Sequence, residues 1–69
     1  MHILSIDNEN NERQLPFKGD YGAMLRELVR LANDKCRRTP NNATVQVKGR
    51  EEIAVCIGVH TVHTFKLCK

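Results

Sequence analysis

Sixty-nine residues hold one domain, residues 1–69, with no room for a second core. Eleven Lys and Arg against eight Asp and Glu give a formal charge of +3. That balance suits an acidic partner and falls short of the dense basic arms of obligate nucleic-acid binders. Three cysteines exclude a disulfide scaffold, and no apolar run approaches the roughly 20 residues that cross a bilayer.

Residues 2–6 alternate as a strand, with His2, Leu4 and Ile6 on one face and Ile3 and Ser5 on the other. Leu4 and Ile6 are the expected core side. The first residues lack the charged-then-apolar pattern of a secretory signal, so the reading is a cytoplasmic protein with reduced thiols. Asp7 to Asn11 is an asparagine-rich turn. Residues 12–17 return either as a short edge strand, limited by Pro16, or as a loop that carries Leu15 and Phe17 into the core.

Asp20 is a good N-cap for a helix over residues 20–38, because its carboxylate can accept the orphan N–H groups of the first turn. At about 100° per residue, Tyr21, Met24, Leu25, Leu28, Leu31 and Ala32 fall on one side. Lys35, Arg37 and Arg38 complement the negative end of the helix dipole. Thr39 before Pro40 ends the helix.

From residue 43 onward the chain reads as strand. Ala43, Val45 and Val47 alternate with Thr44, Gln46 and Lys48. A second run puts Ile53, Val55, Ile57 and Val59 on a single face, and the alternation continues through His63, Phe65 and Leu67. Sixteen residues at about 3.3 Å each are too long for a straight strand in so small a domain. A turn or bulge is therefore expected between Gly58 and Thr61. The fold class is α+β: one helix on one face of a mostly antiparallel sheet of four or five strands, with an optional second strand before the helix and three strands after it. The expected core is Leu4, Ile6, Met24, Leu25, Leu28, Leu31, Ala32, Val45, Val47, Ile53, Val55, Ile57, Phe65 and Leu67.

Three constellations bear on function. Arg26, Arg30 and Arg37 lie within about 40° of one another on the helix, opposite the apolar face, with Asn33 beside them; Arg38 follows in the last turn. Guanidinium groups so placed can meet partner carboxylates or phosphates as bidentate forks. The bland alternative is a solvated face in which Arg30 pairs with Glu27 or Asp34. Cys56, His60, His63 and Cys68 are zinc-ligand types at poor spacing, so no metal or other cofactor is expected. His60 and His63 could act as acid and base in a small ribonuclease, but strict alternation places them on opposite faces. Ser5 is the only serine and sits mid-strand, without a glycine elbow.

The expectation is a non-enzymatic binding module that regulates or inhibits a protein partner with an acidic surface. Its contacts would be Arg26, Arg30, Asn33, Arg37 and Arg38, with or without a sheet edge. Its size and build are common among accessory proteins of phages and mobile elements. The alternative is nucleic-acid binding through the same arginines, without aromatic stacking platforms. No membrane partner is expected, and the small core leaves a homodimer open.

Overall fold

The structure is a computed structural model that describes residues 2–68. A single helix packs against a five-stranded antiparallel sheet in β-β-α-β-β-β order. The strands are β1 (His2–Asp7), β2 (Glu12–Leu15), β3 (Thr44–Gly49), β4 (Glu52–Ile57) and β5 (His60–Cys68), and the helix is α1 (Tyr21–Arg38). Their order across the sheet is β2-β1-β5-β4-β3, which makes β2 and β3 the edges.

Local chemistry accounts for each joint. Between β1 and β2, the Asp7 carboxylate accepts the backbone N–H groups of Glu9 and Asn11 at 2.9 Å each, and Asn10 takes a φ of 64°. Asn tolerates that left-handed geometry better than most residues. Residues 12–15 form the short edge strand and the loop beyond carries Phe17 to the core, so both readings of this segment hold in part. Gly19 has its own reason: a Cβ there would stand 2.8 Å from the Phe17 ring.

Asp20 caps α1, its Oδ1 accepting from Ala23 N at 2.8 Å. At the far end, Thr39 turns out of the helix while its Oγ1 donates to the Lys35 carbonyl at 2.7 Å. Asn41 and Asn42 then take φ of 66° and 58°. Gly58, at φ 61°, begins the tight turn between β4 and β5.

The expected break in the long C-terminal alternation is both a turn and a bulge. Ile57 pairs with His60 and Cys56 with Thr61, yet Val55 pairs with His63. Val62 is therefore an extra residue. It puts His60 back on the same side of the sheet as His63, where unbroken alternation separates them.

The core is Ile3, Met24, Leu28, Ala32, Ile53, Val55 and Phe65. Leu25, Leu31, Val45 and Leu67 pack against it half-buried, as does Phe17. Four expectations fail. Leu4 and Ile6 lie on the face away from the helix, because Ile3 pairs with Leu67 and Ser5 with Phe65. Both faces of β1 carry apolar residues, so hydrophobicity alone chose the wrong one. Val47 is 75% exposed, since it faces the helix side on an edge strand that α1 does not reach across. Tyr21 is 40% exposed in the first turn of the helix. Ile57 is only half-buried, next to the turn.

Helix α1 lies off-centre. It rests on β4, β5 and β3 and makes little contact with β1 or β2. The helix-side face of β1 and β2 is therefore left open beside its C-terminal half.

Candidate functional site

Opposed residues in an antiparallel ladder point to the same face. Ile3, Ser5 and Asp7 of β1 thus share the helix side with Arg13 and Leu15 of β2 and with His63, Phe65 and Leu67 of β5. Ile3, Leu15, Leu67 and Phe65 serve the core, while Ser5, Asp7, Arg13 and His63 lie toward the open end. A cleft of about 360 Å³ separates them from α1. Its floor is Leu15, Leu31 and Phe65, its inner end is Ser5 and His63, and its walls carry Arg13 from the sheet and Arg30, Asp34, Lys35 and Arg38 from the helix. A second hollow of about 250 Å³ continues from Ser5, Arg13 and His63 toward Asp7 and Asn11.

The cations differ in their partners. Arg30 is clamped by Glu27, with Nη2 donating to Oε2 at 2.9 Å, and this contact holds the Glu27 carboxyl below its usual range. Arg38 and Arg37 both reach Asp34, at 2.6 and 3.4 Å. Such pairs on an exposed helix are weak, screened by solvent, and still leave N–H donors free. Among the described residues, no carboxylate lies within 4.0 Å of Arg13 or Lys35. Of the arginine stripe read from the sequence, Arg30 and Arg38 line the cleft. Arg26, Asn33 and Arg37 are exposed on the helix outside it.

Ser5 Oγ and His63 Nε2 are 2.6 Å apart. The imidazole stacks on Phe65, ring centroids 4.4 Å apart, and its Nδ1 is buried with no hydrogen-bond partner among the described residues. An unmet buried N–H is rarer and costlier than an unmet acceptor lone pair. The hydrogen-bond network therefore assigns the proton to Nε2, which donates to Ser5 Oγ. Burial first, and the Lys35 charge second, push the His63 pKa below its ordinary value, against the pull of Asp7. Asp7 sits opposite His63 in the ladder but spends its carboxylate on the β1–β2 turn. The arrangement leaves the Ser5 O–H free to donate to a third group.

The zinc-ligand types divide between the faces. Cys56 and Cys68 lie on the helix-free side with Ala54 and Thr64, whereas His60 and His63 are on the helix side. Among the described residues no group of three potential ligands gathers. His60 is exposed at the β4–β5 turn and lines neither hollow that His63 lines.

Sequence reading missed Ser5, Arg13 and His63 as a set. The available signal was the shared parity of Ile3-Ser5-Asp7 and Arg13-Leu15. It was obscured by the greater hydrophobicity of Leu4 and Ile6. Comparison with protein-family models, curated proteins and solved structures finds no match to this chain. Among the described residues, no helix is long and apolar enough to cross a membrane.

Proposed function

We propose that this chain is a small non-enzymatic binding module that regulates or blocks a protein partner with an acidic surface, and that it acts in the cytoplasm with its thiols reduced. One observation carries the reading: Arg13 of β2 and Arg30, Lys35 and Arg38 of α1 line one cleft, with a single carboxylate, Asp34, in its wall. Its concave shape and apolar floor suit an inserted side chain better than the regular phosphates of a duplex, and no aromatic projects from it for base stacking.

The test is retention of proteins from source-cell extract on the immobilised chain, after nuclease treatment, at low and high salt. A protein held at low salt, released by poly-glutamate and lost with Arg30→Ala/Arg38→Ala is the expected result. Recovery of nucleic acid before nuclease treatment, with no protein surviving it, would move the assignment to the nucleic-acid alternative. Retention indifferent to salt and to the two substitutions would remove the basic surface from the account.

A further inference from the structure

Arg13 and Lys35 are the two cations of the cleft without a carboxylate partner among the described residues, one from β2 and one from α1. Ser5 also lines this cleft, its oxygen 2.6 Å from His63 Nε2, which is the donor in the tautomer assigned above. A hydroxyl that accepts one hydrogen bond becomes a better donor for the next. Two cations and one polarised O–H lining one cleft are the donor set of an oxyanion. The rest of the lining is Leu15, Leu31 and Phe65, with Arg30, Arg38 and the Asp34 carboxylate that Arg38 and Arg37 occupy.

We propose that this cleft is an oxyanion site that receives the carboxylate of one Asp or Glu side chain of the partner, with an apolar neighbour of that residue resting on Leu31 and Phe65. The inference rests on the binding-module reading for its partner. The donor set requires only the anion. Arg13 of β2 supplies a fork to the two carboxylate oxygens, Lys35 of α1 a compact charge, and Ser5 a directed hydrogen bond. Arg30 and Arg38 stay at the rim with their own carboxylates. His63 is a positioning residue: it holds the Ser5 proton pointed outward and touches no ligand.

The test is an NMR titration of the full chain with the capped dipeptide N-acetyl-Leu-Glu-amide, run beside N-acetyl-Leu-Gln-amide and inorganic phosphate. Saturable shifts at Ser5, Arg13, Lys35 and His63 are expected with the Glu peptide, and binding about tenfold weaker or worse with the Gln peptide. Long-range 1H–15N spectra should show the His63 proton on Nε2. Ser5→Ala should weaken the Glu peptide about tenfold. Arg13→Gln/Lys35→Gln should abolish saturation with the amide spectrum and urea midpoint unchanged. The proposal is overturned by a proton on Nδ1, by shifts that persist in the double variant, or by phosphate binding tighter than the Glu peptide. Salt-sensitive protein retention without dipeptide binding would sink this inference and leave the binding module standing. Dipeptide binding with no salt-sensitive retained protein would do the reverse.

Discussion

Along the β3 edge, α1 closes against the sheet through Leu25 and Leu28, and what stays uncovered there is apolar: Val47 is 75% exposed and Val29 48%. Along the β1–β2 edge the helix stands away, and the uncovered face carries Ser5, Asp7, Arg13 and His63 instead. The same helix thus has a packed flank and an open flank. The contrast teaches where this small fold keeps its polar chemistry. Of the strands the helix rests on, β4 is apolar on the covered side from Ile53 to Ile57, whereas β1, which it scarcely touches, places Ser5 among core positions. Burial of apolar area holds the first flank together. Hydrogen bonds and unpaired charge shape the second.

The largest expected effect falls where the flanks meet. Phe65 is 5% exposed, belongs to the core and also floors the cleft. Phe65→Ala should destabilise the fold by about 3 kcal/mol or more in urea unfolding. A loss below about 1 kcal/mol would show that the flanks do not share a core. Asp20→Ala removes the cap that holds α1 against both flanks and should cost about 1 kcal/mol, read the same way.

A pH series separates the flanks further. The unfolded His63 titrates near about 6.5, and the folded one lower. Above that range both states are neutral and stability is flat. As pH falls below it, the unfolded chain takes a proton that the folded chain resists, so stability declines until the folded pKa is passed. Wild-type urea midpoints should fall between pH 7.5 and 5, and His63→Gln should flatten the decline. An equal decline in the variant would locate the pH response elsewhere. The smallest effect belongs to the packed flank's rim: Val47→Thr should change stability by less than about 0.5 kcal/mol. A larger loss would mean that the exposed valine is covered in solution.

Most of the fold was legible because its signals were redundant. Asp20, the spacing of Met24, Leu28 and Ala32, and the Thr39-Pro40 stop all mark one helix. Gly58 together with chain length forces the fold-back after β4. The open flank was less legible for a physical reason. In β1 the even positions carry Leu4 and Ile6, while the core side mixes Ile3 with Ser5 and Asp7. Alternation therefore points the wrong way wherever core-side positions are polar, as at Ser5 and Asp7. The helix arginines were visible as a stripe, but nothing local told which of them would meet Arg13. That meeting depends on the antiparallel return of β2 and on how far the helix sits from the sheet's centre.

The helix-free face of the sheet has one more consequence. Ala54 and Cys56 lie there with no second layer above them, yet they are 1% and 2% exposed. They are short side chains on an inner strand, sheltered by neighbours such as Gln46, Thr61 and Thr64. Cys36 and Cys68 are only half-buried. A thiol-modifying reagent therefore meets two half-buried cysteines, Cys36 with its Sγ donating to the Ala43 carbonyl at 3.1 Å, and one sealed by its own ladder. The third modification acts as a clock for β4 parting from its neighbours, set into the chain without a label.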